Sequence, residues 1–349
     1  EEEFMRLAVL FGGSSNEHDV SIASATSVIM NLDKEKYDIT PVYLDRENRF
    51  YIWGENIESI QLLNVGDELT HLKKIDDPIS FLKTFNCVFM MVHGKNGEDG
   101  ILASIFDFFG IPYVGNKPVA SMITMDKIYT KDILERNNIS TAKYISFTKY
   151  HDEYIMKGIS FSWPLFLENI KKKIHYPVFV KPANSGSSIG VIKVKQDAFL
   201  EQALIEALKI DERVLIEEAI LGRELECAIL ENNGEVLASR VGEVLAGDEF
   251  YSFDAKYHNQ ESKTVIPADI SLEDEEKIRK VAMQAFKILN LHGLSRVDFF
   301  LTPDHQVILN EINTIPGFTT ISMYPKLWEA SGISYSELLD ILIVESIKK

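Results

Sequence analysis

Residues 6–11 form a short apolar run that stops at Gly12-Gly13, and residues 20–32 then read as a helix, the opening of an α/β unit. Further apolar runs at 39–44 and 87–92 alternate with connecting segments, as in a parallel sheet covered by helices. Residues 1–120 are therefore expected to form one α/β domain. Past Pro118, residues 125–137 read as a helix and 143–147 as a short strand, whereas 149–175 carry no clear pattern. The run 176–182 predicts a strand, 197–209 a helix and 214–217 another strand, an α+β unit over 121–216. Residues 217–349 make a third domain. In its helix Ser271 caps, Asp274 sits in the first turn, and Ile278, Val281, Ala282, Ala285, Phe286 and Leu289 recur at helical spacing before Gly293.

The stretch 294–313 reads as a β-hairpin turning at Thr302-Pro303-Asp304-His305. Alternation puts Arg296 and Asp298 on one face of the first strand, and Glu311 and Asn313 on one face of the second. A turn centred on Asp304-His305 sets Asp298 opposite Glu311 and Arg296 opposite Asn313. Two acids and an amide then converge, a donor set suited to a hard cation such as Mg²⁺. Spacing alone fits a solvated sheet face with a cross-strand ion pair equally well.

Charge narrows the partners. Thirty-six Lys+Arg against 53 Asp+Glu leave a net charge of −17 in 349 residues, which repels nucleic acid and anionic membranes. A phosphate site must therefore be built locally. Lys181 ends an apolar strand and precedes a Gly/Ser-rich turn, 182–190, whose backbone N–H groups can cradle phosphate oxygens. With the lysine ahead of the loop, this is not a Walker P-loop; an ordinary surface turn is the competing reading. Gly12–Glu17 between strand and helix, and His93–Gly100 after the third strand, lie where ligands of open α/β sheets bind, although either can be a plain turn. Cys87 and Cys227 sit in apolar runs and read as buried thiols. No run is long enough to span a membrane, and the opening Glu1-Glu2-Glu3-Phe4 is unlike a leader, so the expected location is the cytoplasm.

Taken in order, six segments resemble the D-alanine:D-alanine ligase family along nearly the whole chain. They are Gly12-Gly13-x-x-x-Glu17-x-x-Val20-Ser21, His93-Gly-x-x-Gly-Glu-Asp-Gly100, Lys181-Pro-x-x-x-Gly-Ser-Ser188, Ala255-Lys256-Tyr257, Arg296-x-Asp298 and Asn310-Glu-Ile-Asn-Thr-Ile-Pro-Gly-Phe318. The resemblance implies a three-domain ATP-grasp fold of mixed α/β and α+β character, a parallel α/β domain followed by two ATP-grasp domains. ATP would lie between the second and third, and the amino acids between the first and third. Carried over by position, Lys127 and Lys181 become phosphate ligands, with Ser187, Ser188 and Asn310 also on the nucleotide, Glu217, Glu218 and Ile220 around adenine, and Glu224 on the ribose. Asp298, Glu311 and Asn313 become ligands of two Mg²⁺ (or Mn²⁺) ions.

On the amino-acid side the resemblance gives Glu17 the ammonium of the first D-alanine, with His93 nearby, and joins Glu17, Ser187 and Tyr257 in a hydrogen-bonded triad. Lys256 approaches the γ-phosphate from a mobile loop within 242–264. Arg296 and the Gly317 N–H face the oxyanion, and Ser322 and Met323 the second substrate. The implied reaction makes D-alanyl-D-alanine for peptidoglycan precursors through a D-alanyl phosphate, releasing ADP and phosphate, in a homodimer. Ala219 stands where relatives often have a bulky aromatic, which implies weaker stacking on the base. Met323 argues against D-serine and Tyr257 against D-lactate as second substrate, and the intact Arg296, Asp298, Glu311 and Asn313 set argues against a non-catalytic ATP-binding module.

Overall fold

Strand β1 (Met5–Gly12) is buried from Leu7 onward and forms the middle of the first sheet, in parallel with β2 (Tyr37–Leu44) and β5 (Cys87–Met90). This computed structural model describes residues 4–54, 69, 71–245 and 263–348. The sheet order is β4-β3-β2-β1-β5-β6, with β3 (Phe50–Trp53), β4 (Leu72–Lys74) and β6 (Tyr113–Val114). Strands β3 and β4 are antiparallel additions to a parallel core. Both are short: β3 is an apolar run of only four residues and β4, Leu-Lys-Lys, has no apolar run at all. Helices α1 (His18–Asn31), α2 (Pro78–Leu82) and α3 (Ile101–Phe109) make the connections. The Ser21 hydroxyl ties β1 to the segment after β5, taking the Gly12 N–H at 2.8 Å and donating to Met91 O at 2.5 Å.

The helix expected over 125–137 is α5 (Lys127–Arg136), and a further helix that was not expected, α4 (Pro118–Met125), precedes it. They meet at Asp126, whose extended backbone separates them and whose carboxylate caps the N–H groups of Ile128 and Tyr129 while pairing with Arg213. Lys127 thereby starts a helix.

The second sheet runs β11-β10-β12-β7-β8-β9, antiparallel at every pairing: β7 (Tyr144–Tyr150), β8 (Glu153–Met156), β9 (Ile159–Phe161), β10 (Val178–Pro182), β11 (Ile192–Val194) and β12 (Arg213–Glu218). Helices α6 (Trp163–Lys171) and α7 (Leu200–Leu208) cover it. The patternless stretch 149–175 supplies β8, β9 and α6, elements of three to nine residues, too short for periodicity to register. Aromatic contacts fasten them, with Phe147 on Phe166 at 4.4 Å and Tyr154 on Trp163 at 4.7 Å between ring centres.

The third sheet runs β15-β14-β13-β16-β17: β13 (Arg223–Asn232), β14 (Glu235–Leu245), β15 (Lys263–Val265), β16 (Leu294–Leu301) and β17 (Val307–Asn313). Helix α8 (Leu272–Ile288) packs on it, capped by Ser271 as expected. Helices α9 (Met323–Glu329) and α10 (Tyr335–Ile347) return the chain to the first sheet. There Leu338, Leu339, Leu342 and Ile343 join the core of Leu7 to Phe11 and Val88 to Met91. One apolar core thus links the first and third sheets, whereas the second sheet keeps its own. A crevice between the second and third sheets follows.

Candidate active site

Alternation along β10 buries Val178 and Val180 in the core of the second sheet and turns Phe179 and Lys181 toward the third. They line a cavity of about 210 Å³ with Lys127, Lys131, Ser185, Ser188, Glu217, Glu218, Ala219, Ile220, Glu224, Phe300, Asn310 and Glu311. Glu217 sits beneath two lysines, with Lys181 Nζ 3.0 Å from one carboxylate oxygen and Lys131 Nζ 3.1 Å from the other. Burial alone would push the Glu217 carboxyl up, but the two ammonium groups outweigh it and hold it below the usual range. Burial lowers Lys127 and Lys131. Lys131 is absent from the sequence-based site. Its signal is position: four residues after Lys127, it shares a face of α5. Ala219 presents no aromatic ring, and Phe179 and Phe300 supply the rings of this cavity instead.

The Gly/Ser turn after β10 reaches the first sheet. Ser187 Oγ donates to Glu17 Oε1 at 2.5 Å, and Lys127 Nζ donates to Ser185 O. Ser187 and Ser188 both hold left-handed backbones, at φ 50° and 60°. Two such non-glycine residues in succession cost on the order of 1–3 kcal/mol each, strain of the sort found at ligand clamps. Tyr257, the expected third member of the triad, and Lys256 lie outside the described residues. The ends of the loop expected over 242–264 are strands, since Gly242–Leu245 belong to β14 and residues 263–265 to β15.

The hairpin brings its polar face together as expected, but by a different route. Near the turn Phe299 pairs with Leu309 and Leu301 with Val307, one residue out of the register of a turn centred on Asp304-His305. A β-bulge at Asn310 restores it, so Asp298 opposes Glu311 and Arg296 opposes Asn313. The bulge also lets the consecutive residues Asn310 and Glu311 line one cavity, which strict alternation forbids. Arg296 grips Asp298 in a fork, Nε to Oδ1 and Nη2 to Oδ2 both at 2.7 Å, while Asn313 Nδ2 donates to Asp298 Oδ2 at 3.1 Å. Glu226, opposite Asp298 on β13 and also missing from the sequence-based site, stands 3.1 Å from Arg296 Nε. Burial disfavours the Arg296 charge, but Asp298 and Glu226 more than offset that and keep it protonated.

His93 is buried, and both ring nitrogens are engaged. Nδ1 is 2.9 Å from Ile315 O, so in the neutral ring the N–H sits there and Nε2 accepts from Ser24 Oγ at 3.0 Å. Ser24 Oγ in turn takes the Phe318 N–H at 3.1 Å. Burial lowers His93 and keeps it neutral, a brace between the 93–100 loop and the segment holding Gly317. Glu98 takes the N–H groups of Gly94 and Ile315, and burial followed by the charge of Glu17 pushes it up to about 8. Gly94 must lack a side chain, because at φ 68° a Cβ would stand 2.6 Å from Glu17 Oε2. Ser322 Oγ lies beside Gly317 and takes the Thr319 N–H at 3.0 Å, and Met323 is buried as the first residue of α9. Burial pushes the thiols of Cys87 and Cys227 up to about 12, so both are inert.

Lysines over a strained Gly/Ser turn on one sheet, facing carboxylates and an amide on the next, define an ATP-grasp ligase. The family description "D-ala D-ala ligase N-terminus" matches residues 6–116, and "D-ala D-ala ligase C-terminus" matches 133–344. The chain belongs to the D-alanine–D-alanine ligase family. It is 42% identical to the D-alanine–D-alanine ligase of Acetivibrio thermocellus, over 99% of this chain and 96% of that one. With the Geobacillus kaustophilus ligase it shares 39%, over 99% and 95%. Among solved structures, the VanG D-Ala:D-Ser ligase of Enterococcus faecalis superposes with a TM-score of 0.85 at 34% identity, covering 99% and 100%. The D-alanine-D-alanine ligase of Coxiella burnetii gives 0.81 at 34%, covering 99% and 95%.

Proposed function

We propose that the chain joins two D-alanines into D-alanyl-D-alanine at the expense of ATP, for peptidoglycan precursors, and that its parts fall into residues 1–120, 121–216 and 217–349. The carboxylate of the first D-alanine attacks the γ-phosphorus, ADP leaves, and a D-alanyl phosphate forms. The amine of the second then attacks its carbonyl and phosphate departs. Lys127 and Lys181 balance phosphate charge, Glu218, Ile220 and Glu224 bound the base and ribose, and Glu17 takes the first ammonium. Arg296 and the Gly317 N–H meet the tetrahedral oxyanion, with Ser322 on the second carboxylate. Lys256 and Tyr257 keep the roles that the motif gives them.

The carrying observation is the shared cavity of Lys127, Lys181, Asn310 and Glu311, fed by a hairpin face of two carboxylates and an amide. Among the described residues no group of three or more His, Cys, Asp or Glu gathers to hold a metal. Two carboxylates with an amide are nevertheless the donor set Mg²⁺ takes when substrate phosphates and water complete its shell. Asp298, Glu311 and Asn313 would hold two Mg²⁺ or Mn²⁺ ions, whose chemistry is to neutralise charge on the transferring phosphoryl group. Incubation with ATP, Mg²⁺ and D-alanine, alone and mixed with D-serine, should yield the mass of D-alanyl-D-alanine and one phosphate per dipeptide. A mixed D-alanyl-D-serine product would move the specificity toward that of the VanG enzyme, and ATP binding without any product would support a non-catalytic module.

We also place the protein in the cytoplasm, where ATP is available; no helix among the described residues is long and apolar enough to cross a membrane. A homodimer is part of the same reading. Phe108, Val119 and Met122 are 83%, 67% and 47% exposed on the adjoining helices α3 and α4, an apolar face of the kind that pairs with a second copy. Phe108→Asp should convert the dimer to a monomer in light scattering without lowering the melting temperature. A parent already monomeric at assay concentration would overturn this.

A further inference from the structure

Two consecutive side chains at the acceptor end of the site each occupy the space left by a glycine. A Cβ on Gly317 would stand 2.7 Å from Ser322 Oγ. A Cβ on Gly242 would stand 2.5 Å from Met323 Cε, 2.8 Å from Leu327 Cδ2 and 3.2 Å from Ile266 Cγ1. All of these lie inside ordinary carbon contact of about 3.5–4.0 Å.

Gly242 is in the interior of β14, paired with Glu226, and its backbone is not left-handed. Conformation therefore does not call for glycine there; the room it leaves is filled by the methyl ends of Met323 and Leu327, which an added side chain would have to displace. Met323 is buried at the first turn of α9, directly after Ser322 at the N-cap. Ser322 is itself fixed by Thr319, whose N–H is 3.0 Å and whose Oγ1 is 2.7 Å from Ser322 Oγ. A thioether methyl seated in a strand is a soft but enclosed contact, and one bond path links it to the hydroxyl at the site.

We propose that Gly242 is a positioning residue for the acceptor amino acid: by leaving room for Met323 it sets how closely α9 docks on β14, and so where Ser322 stands relative to Gly317. The proposal rests on the ligase reading, in which Ser322 meets the second carboxylate. Gly242 touches no substrate and acts through Met323.

The test is steady-state kinetics on the full chain with ATP, Mg²⁺ and varied D-alanine, resolving the donor and acceptor KM values, with dipeptide identified by mass. Gly242→Ala should raise the acceptor KM about tenfold, the scale on which a pocket feels one methylene of misfit. The KM values for ATP and for the donor should stay within about twofold, a split that general destabilisation would not produce. Adding Met323→Ala should bring the acceptor KM of Gly242→Ala/Met323→Ala within about twofold of that of Met323→Ala alone, because the shortest contact is gone and the Leu327 methyl can turn into the space that Met323 leaves. If Gly242→Ala does not melt as a folded protein, Met323→Leu carries the test. Leucine cannot reach the Gly242 gap, and the acceptor KM should again move with the donor KM unchanged. A parent that makes no dipeptide overturns the ligase reading itself. A parent that does, with the acceptor KM of a folded variant within about twofold or with all three KM values raised together, overturns the role of Gly242 alone.

Discussion

Glu311→Ala is expected to reduce phosphate release by roughly 1,000-fold or more, the scale on which phosphoryl transfer responds to loss of one charge-stabilising element. Glu311 faces the lysine-lined cavity from the strand beside the Arg296–Asp298 fork and belongs to neither half of it. Its removal leaves that fork and the Asn313 contact in place but takes from buried Lys127 the carboxylate that most favours its charge, so the protein should still fold, at a lowered melting temperature. Glu311→Gln separates charge from shape: it keeps the side chain at the bulge and should be nearly as inactive, because a neutral amide is a poorer cation ligand. The check is phosphate release, together with Mn²⁺ titration of the nucleotide-free protein followed by its spin-resonance signal. Near-parent phosphate release by a folded Glu311→Ala protein would remove the metal site from this face.

The hairpin marks how far the sequence alone could be followed. Alternation identified which side chains share a face, and the pairing at Asp298 and Glu311 is the expected one. Counting outward from the turn could not see the bulge at Asn310, which has no composition signal, and the register came out right at the site because the true turn and the bulge shift it in opposite senses. Lys181 was legible because it ends an apolar strand before a Gly/Ser turn. Lys131 and Glu226 were not: each is an ordinary charged residue in an amphipathic element, and only the pairing of α5 with β12, or of β13 with β16, turns it inward. The same holds for His93. Its loop was recognisable, but its role as a brace depends on Ser24 and Ile315, neither of them near it in sequence. Asp126 sets the start of the expected helix, because its carboxylate serves the following N–H groups better as a cap than as an interior residue.

Arg296→Ala should lower ligation by roughly 100-fold or more, the scale of losing one preorganised oxyanion donor. The geometry adds a second consequence. Arg296 is the shared counter-charge of Asp298 at 2.7 Å and Glu226 at 3.1 Å, all three largely buried. Removing it leaves two carboxylates facing each other across β13 and β16, and breaking a buried pair from one side costs on the order of 3–5 kcal/mol. Alanine therefore loses stability and rate together, and rate alone cannot assign the role. Arg296→Lys keeps a charge between the two acids but has no planar fork, so it should recover most of the melting temperature while recovering little turnover. Glu226→Gln approaches from the other side: it removes one acid, leaves the fork on Asp298 in place, and should cost less of either. If Arg296 acts on the oxyanion, the Lys variant should still bind ATP with near-parent affinity and lose dipeptide formation more than phosphate release. Recovery of turnover in step with stability would reduce Arg296 to a structural tie between the two strands.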